Sequence, residues 1–371
     1  MNFDFSEDEK MVSDQARRFL QDNCDFSVNR SVLEGGAGYD QKVWQGLADM
    51  GLLGATIPEA YGGVGAGYLS TCLVAQQVGA HLAPIPYSST IYQVAEALIH
   101  FGTEAQKQQY LPAIAEGKLI GAMALVESMS ELTRQNITTR YSDGKLNGKK
   151  LIVTDGGIAD VALVLAATES GSTGLYLVDL TQAGVQRETV NTVDPSRDSA
   201  TMSFTDVAAE PLGDAEDGWN QLQAIQDRAA VMMAFEQIGG AERALNMAVE
   251  YARGRFAFGR PIGSFQALKH MMADMFVALR LAESNCFYAA WALSTNSDDL
   301  ALAAATARVS ATQAFQLCAR DNIQVHGGMG FTWEFDCHLY YRRSNYLTLQ
   351  LGGLSVWESK LVDALPKGQV A

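Results

Sequence analysis

Apolar residues in roughly the first 120 positions recur at the three- and four-residue spacing of amphipathic helices. Ser6 followed by Glu9 is a capping-box pattern that predicts a helix start, with Phe5, Met11, Ala16 and Phe19 on its apolar face. The same spacing predicts further helices at about residues 40–50, 68–81, 89–101 and 104–115.

The period shortens between about residues 120 and 212, where runs rich in β-forming residues alternate with glycine turns. The turn signals are Asp143-Gly144, Asn147-Gly148 and Gly156-Gly157. They predict a small antiparallel sheet with strands at about residues 137–141, 150–153, 160–167, 174–180 and 200–204.

Long helical patterns return beyond Asp217. They run to Tyr251 and then over residues 264–293, 298–326 and 338–365. The pattern therefore predicts a mainly α protein with a central β domain. We expect an N-terminal helical domain (1–119), a middle antiparallel β domain (120–213) and a C-terminal helical bundle (214–371).

Composition narrows the class of protein. The net charge of −15, without a long basic cluster, argues against binding to nucleic acid. The five scattered cysteines fit reduced thiols better than disulfides or a metal site, and no metal is expected. No apolar run approaches the roughly 20 residues of a membrane span, and the acidic start predicts no signal peptide and a cytoplasmic location.

Three segments carry a family resemblance. Residues 251–266 read YARGRFAFGRPIGSFQ, residues 324–331 read QVHGGMGF, and residues 147–156 read NGKKLIVTDG. Together with the stretches at residues 44–67 and 106–112, they resemble the acyl-CoA dehydrogenase family over essentially the whole chain.

The resemblance implies an FAD-dependent oxidoreductase in which a base takes the α-proton of an acyl-CoA thioester and the flavin takes the β-hydride. It also implies a tetramer and a flavoprotein electron acceptor. Arginine suits phosphate oxygens, and glycines let backbone N–H groups approach a dinucleotide. His326 is interpreted as a packed or cofactor-adjacent imidazole. The residues that match the family on the adenosine side of FAD are Arg255, Phe258, Gln266, Gln324, Gly327 and Gly328.

The flavin side departs from the family pattern. Residues 126–132 read VESMSEL where the family has a glycine-rich, donor-rich turn. Ile152 stands where a tryptophan usually packs on the flavin. Thr154 keeps the family identity there and is the one flavin-side residue assigned to the cofactor.

The base positions depart as well. The family's usual glutamate aligns with Leu351, and the alternative position used by a minority of members aligns with Ala229. Asp227 and Glu236 are the acidic neighbours that could act as a relocated base in a dry pocket. Equally, Asp227 could be a helix-start carboxylate, and Glu236 could pair with an arginine such as Arg243.

Three hypotheses follow. In the leading one, the chain is one subunit of a heteromeric acyl-CoA dehydrogenase and lends its adenosine-side residues to FAD held by a second, catalytically complete chain. The resemblance includes mixed tetramers that act on bulky, steroid-derived acyl-CoAs. The alternatives are a homo-oligomeric enzyme with Asp227 or Glu236 as base, and a non-enzymatic family member that binds acyl-CoA or a partner.

Overall fold

The computed structural model describes residues 5–36 and 38–365. The outer ends of the first and third predicted domains, residues 1–4 and 366–371, lie outside the described residues. The chain forms two compact units, the first from residues 5–27, 68–83 and 230–365 and the second from the intervening residues. The predicted fold class, mainly α with a central sheet, is confirmed. The predicted domain boundaries stay predictions.

Helices account for most of the chain, and most of their bounds follow the predicted spans, but helix Phe26–Gly35 was not predicted. A π-helical segment, Thr90–Ala95, interrupts the predicted helix at 89–101. The α-helices are Glu7–Asn23, Phe26–Gly35, Gln41–Asp49, Gly67–Ala80, Tyr87–Ser89, Glu96–Phe101, Glu104–Ala115, Gly218–Gly254, Gln266–Ser294, Leu300–His326, Cys337–Leu349 and Leu354–Ala364.

The first helix begins at the predicted capping box. The Glu9 backbone N–H donates to the Ser6 hydroxyl (3.2 Å), and the Ser6 N–H donates to the Glu9 carboxylate (2.7 Å). The assignment of Met11 to the apolar face was wrong, because its side chain is 57% exposed. Met11 precedes buried Ala16 by five residues, which places it about 140° around the helix.

Glycines let two helices of the first unit lie in close contact. A Cβ atom at Gly79 would overlap the carbonyl of Glu236, and one at Gly239 would overlap the carbonyl of Gln76. The longest helix therefore packs backbone to backbone against helix Gly67–Ala80. This crossing buries Glu236 in the interior of the unit.

The single helix predicted at residues 338–365 is in fact two helices, Cys337–Leu349 and Leu354–Ala364. Residues 350–353 form a turn between them, in which Leu351 (φ 61°) and Gly352 (φ 97°) adopt left-handed backbone conformations. Such conformations cannot continue an α-helix. We call residues 350–353 the base turn, because the sequence analysis aligns Leu351 with the family's usual base position.

The second unit contains the eight-stranded sheet, in the order β6-β7-β3-β2-β4-β5-β8, with β1 beside β4. Most pairs are antiparallel as predicted, but β1 and β2 each pair with β4 in parallel, which the sequence pattern did not predict. The strands are β1 Gly121–Ala124, β2 Arg140–Ser142, β3 Lys145–Thr154, β4 Val161–Ala167, β5 Thr173–Asp179, β6 Val185–Thr189, β7 Ser199–Ala208 and β8 Glu210–Pro211.

Two of the predicted glycine turns have different outcomes. Asp143 (φ 49°) and Gly144 (φ 76°) form the two-residue turn between β2 and β3, as predicted. The turn predicted at Asn147-Gly148 was wrong, because both residues lie inside β3. There the register against β7 shifts between Leu146 and Gly148, so the glycine marks a bulge.

Candidate functional site

The residues assigned to the adenosine side lie on two segments of the first unit. Arg255 follows the last residue of helix Gly218–Gly254 and is exposed. Phe258 (φ 53°) is at the tip of a small hairpin and is 95% exposed. Gln266, also exposed, is the first residue of the next helix. This segment therefore presents a guanidinium, an aromatic ring and an amide to solvent.

The second segment follows helix Leu300–His326. Gln324 lies in its last turn with an exposed side chain, and the Gly327 backbone N–H donates to the Gln324 carbonyl. Gly327 has a φ of 61°, and a Cβ atom at Gly328 would have no neighbour within 4 Å. The backbone of this turn is consequently open to an incoming phosphate group. We call the exposed parts of the two segments the adenosine-side surface.

Aromatic stacking joins the two segments. The rings of Tyr251 and His326 are stacked, with centroids 4.1 Å apart and an interplanar angle of 24°. Phe335 meets both rings edge-on, at 5.9 Å from Tyr251 and 5.8 Å from His326. His326 is thus a packed imidazole, and the sequence pattern did not identify Tyr251 or Phe335 as its neighbours.

The residues on the predicted flavin side belong to the second unit. Thr154 is buried at the end of β3 (8% exposed). Ile152, two residues earlier, has a φ of 50° and is 44% exposed. It lies within a second register shift between β3 and β7. A β-branched residue with positive φ is unusual, so the bulge imposes a strained backbone at the position where the family carries its tryptophan.

Segment 126–132, which replaces the family's glycine-rich turn, is fixed by one buried ion pair. The Lys150 ammonium lies 2.6 Å from the Glu127 carboxylate, and the backbone N–H groups of Thr138 and Thr139 also donate to that carboxylate. Burial alone would raise the pKa of Glu127, but the hydrogen bonds from Lys150 and Thr138 lower it to about 2. Burial lowers the pKa of Lys150 to about 8. The segment is therefore anchored without glycines.

The base turn is held by two side chains that the sequence analysis did not single out. The buried Arg308 guanidinium donates to the carbonyls of Leu347 and Gln350, the latter at 2.8 Å. The Trp357 indole N–H donates to the Leu351 carbonyl at 3.1 Å. The turn is thus well ordered, but the side chain it carries is a buried leucine (8% exposed), which cannot accept a proton.

Glu236 and Asp227 lie in different surroundings. Glu236 is completely buried, forms an ion pair with Arg343 (3.9 Å), and interacts electrostatically with Arg308. Arg243, the partner considered from the sequence, contacts Glu250 instead at 3.5 Å. Glu236 thus lies in the interior beside two buried arginines, and its ion-pair partner comes from another helix. Asp227 is half-buried on the same long helix.

The structure thus divides the predicted site residues between the units. Arg255, Phe258, Gln266, Gln324, Gly327, Gly328, Glu236 and Leu351 belong to the first unit, and Thr154, Asp227 and Ala229 belong to the second. Ala229 is completely buried. Residues 5–36 and 38–365 contain no cluster of three or more His, Cys, Asp or Glu side chains placed to hold a metal ion. No helix in the same ranges is long and apolar enough to cross a membrane.

Comparison with known proteins gives consistent matches along the chain. Residues 6–118 match the family model described as "Acyl-CoA dehydrogenase, N-terminal domain", and residues 216–356 match "Acyl-CoA dehydrogenase, C-terminal domain". The chain is 34% identical over 340 residues to acyl-CoA dehydrogenase IpdE2 of Mycobacterium tuberculosis, covering 91% of each protein.

Two further relatives are named as parts of larger assemblies. The chain is 28% identical to the caffeyl-CoA reductase-Etf complex subunit CarC of Acetobacterium woodii, covering 98% of this chain and 99% of that one. It also superposes on a chain of the ChsE4-ChsE5 complex from Mycobacterium tuberculosis with a TM-score of 0.89 and 26% identity, covering 98% of both.

Proposed function

Because this chain belongs to the acyl-CoA dehydrogenase family, we propose that it is one subunit of a heteromeric, FAD-dependent acyl-CoA dehydrogenase. The family is flavin-dependent, and the chain is an oxidoreductase of the acyl-CoA dehydrogenase type. In the proposed assembly, a second acyl-CoA dehydrogenase-like chain supplies the base and the flavin-ring site. This chain supplies Arg255, Phe258, Gln266 and the turn from Gln324 to Gly328.

One feature of the sequence carries the proposal: aliphatic residues stand at the two positions that the resemblance aligns with the family's base. Leu351 and Ala229 are aliphatic and buried, so neither side chain can accept a proton. Glu236 is buried and ion-paired with Arg343, and Asp227 is half-buried on the same helix. With no carboxylate at either family position, we propose that a partner chain abstracts the α-proton.

The residues present fit one end of FAD and not the other. The adenosine-side surface offers an exposed arginine fork and an open glycine turn, which suit a diphosphate. In the second unit, Ile152 and the glycine-free segment 126–132 offer few hydrogen-bond donors to a flavin ring. When bound, FAD supplies the hydride acceptor, and the residues of this chain bind and orient its adenosine end.

Several observations support the partners and the substrate class. CarC is named as a subunit of a reductase-Etf complex, and the ChsE4-ChsE5 structure is named as a complex of two chains. We propose an electron-transfer flavoprotein as acceptor and a tetramer with a second family member. A Cβ atom at Gly353 in the base turn would meet nothing within 4 Å, and we propose a bulky, steroid-derived acyl-CoA as the substrate class.

The test is to purify the chain alone and after co-expression with each acyl-CoA dehydrogenase-like chain of the same genome. Flavin absorbance is recorded while short, long and steroid-derived acyl-CoAs are added. We expect substrate to bleach the flavin only in a co-purified complex, and we expect the Asp227→Asn and Glu236→Gln variants to preserve that bleaching.

Bleaching of the chain alone would contradict the heteromeric proposal. Its loss in the Asp227→Asn or Glu236→Gln variant would instead identify the base of a homo-oligomeric enzyme. A protein that stays colourless with every co-expressed chain would indicate the third alternative, a family member that binds acyl-CoA or a partner without oxidising it.

A further inference from the structure

We propose that the stacked pair of Tyr251 and His326 is a positioning device that sets Arg255 relative to the Gly327-Gly328 turn, so that both can bind one diphosphate. This inference rests on the proposed function, in which the adenosine-side surface binds FAD. It assigns a role to a buried histidine and a half-buried tyrosine.

Each ring of the stacked pair is connected through the backbone to one binding element. The Arg255 backbone N–H donates to the Tyr251 carbonyl at 2.8 Å, so the Tyr251 backbone fixes the start of the arginine segment. His326 immediately precedes Gly327 in the chain. Each ring is therefore carried by a backbone segment that leads directly into one binding element.

Neighbouring groups hold the two stacked rings in place. His326 is 7% exposed, and its Nδ1 atom lies 2.8 Å from the Asn322 carbonyl. A carbonyl oxygen only accepts, so Nδ1 carries the proton and the ring orientation is fixed. Burial lowers the pKa of His326, so the ring is neutral at neutral pH. Phe335, edge-on to both rings, limits their sliding.

Gly330, which follows the glycine turn, packs against the helix end that carries His326. A Cβ atom at Gly330 would lie 3.1 Å from the His326 Cβ and 2.6 Å from the Ile323 carbonyl. Only glycine allows the turn to lie this close to the helix end. The turn that follows Gly327 is therefore in contact with the same histidine that stacks on Tyr251.

The distance between Arg255 and the Gly327-Gly328 turn affects how tightly a diphosphate can bind. A diphosphate gripped from two sides is bound tightly only when the donors on both sides are held at the correct separation beforehand. Arg255 is exposed, and its backbone carbonyl accepts a hydrogen bond from the Ile262 N–H (2.8 Å), which ties it to the hairpin and not to the glycine turn. The stack beneath it provides the connection.

The experiment measures FAD release from the co-purified complex by the rise in flavin fluorescence on dilution, together with the thermal unfolding midpoint. We expect His326→Ala and Tyr251→Ala to weaken FAD binding by about tenfold, the upper range for an aromatic pair. Tyr251→Phe preserves the ring and should stay within about twofold of the wild type, whereas His326→Phe keeps the stack but loses the Nδ1 hydrogen bond and should lie between the wild type and His326→Ala.

His81 provides the matched control. Its Nδ1 atom lies 3.0 Å from the carbonyl four residues earlier, that of Gln77, as His326 Nδ1 does with Asn322. The His81→Ala variant should leave FAD affinity unchanged. Equal weakening by His81→Ala and His326→Ala would overturn the proposal, because the effect would then be general loss of packing.

A double-mutant cycle with Arg255→Ala separates positioning from simple stability. If His326 acts through Arg255, adding His326→Ala to Arg255→Ala should cause little further loss of FAD affinity. Additive losses, or a lower unfolding midpoint with unchanged FAD affinity, would overturn the inference and leave the proposed function intact. A wild-type complex that holds no flavin would overturn both.

Discussion

The adenosine-side surface and the base turn belong to the same unit, but they differ in what they present. The surface places Arg255, Phe258 and Gln324 in solvent, where their side chains can bind a ligand. The base turn has an equally defined backbone, held by Arg308 and Trp357, but presents a buried leucine. The adenosine-side surface presents polar and aromatic side chains to solvent. The base turn has a defined backbone but no side chain that can transfer a proton.

This difference shows that the geometry of a turn and the chemistry of its side chain have separate causes. The left-handed conformation of Leu351 depends on donors from two other helices and not on the side chain at that position. A turn of this shape is therefore not evidence that a catalytic group is present. Binding and proton transfer can consequently be assigned to different chains of one assembly.

Replacing Arg308 should have the largest effect, because it disturbs the base turn from within the interior. The Arg308→Met variant leaves the Leu347 and Gln350 carbonyls without this donor and removes a cation near Glu236. We expect a loss of about 4 kcal/mol in the free energy of unfolding, measured by urea titration. The control Arg280→Met removes a half-exposed arginine and should cost less than about 1 kcal/mol.

A loss below about 1 kcal/mol for Arg308→Met would show that the base turn does not depend on this arginine. The left-handed backbone of the base turn would then have to be stabilised by other contacts. Flavin affinity at the adenosine-side surface is the second readout for this variant. It should change less than stability does.

The buried pair of Glu127 and Lys150 extends the comparison to the flavin-side segment. Glu127→Gln leaves the Lys150 ammonium buried without its carboxylate, and we expect a loss of about 3 kcal/mol at neutral pH. The folded-state pKa of Glu127, about 2, is below its ordinary value, so its stabilising effect is present above about pH 4.5 and decreases as the pH falls toward 2.

The measurement is urea unfolding of the wild type and of Glu127→Gln between neutral and acidic pH. The difference between the two proteins should narrow as the pH falls below about 4.5. A difference that stays constant across this range would show that the ion pair does not anchor segment 126–132. Glu131→Gln, an exposed residue of the same segment, is the control and should show little effect.

Arg255 tests the other side of the comparison, where the effect should fall on binding and not on folding. Arg255→Ala should weaken FAD binding in the assembled complex by about ten- to hundredfold, the range for a lost hydrogen bond to a charged group. Arg255→Lys keeps the charge but not the planar fork and should recover part of the affinity. Exposed Arg253, two residues earlier, is the control position. A large fall in the unfolding midpoint of Arg255→Ala would contradict its assignment to a surface that binds.

Much of the fold could be predicted because its signals are local. The capping box at Ser6 and the turn at Asp143-Gly144 need only neighbouring residues, and both are confirmed. The turn predicted at Asn147-Gly148 failed because β3 pairs with a strand on each side, and this pairing outweighs the local turn preference. Strand β1 went unpredicted because its residues Gly-Ala-Met-Ala have low strand preference.

The candidate site was harder to predict because its contacts join distant parts of the chain. The segments around Arg255 and Gly327 could be found from their motifs, but the stack between Tyr251 and His326 spans 75 residues. The ion pair of Glu236 with Arg343 and the hydrogen bonds of Arg308 are equally non-local. Spacing along a helix suggests nearby partners, and here the buried partners come from other helices.

The smallest expected effect concerns Asn322, one turn before His326 in the helix that leads to the adenosine-side surface. Its side chain is completely buried, and its amide nitrogen and oxygen have no hydrogen-bond partner within the described part of the chain. A buried amide without partners costs free energy, so the similarly sized Asn322→Leu should raise the unfolding free energy by about 1 kcal/mol.

Asn345→Leu, at an exposed amide bonded to the Tyr341 carbonyl, is the control and should give no gain. Urea titration of both variants decides the question. A loss of stability in Asn322→Leu would mean that the amide is hydrogen-bonded to buried water, and the interior beneath the glycine turn would then be hydrated.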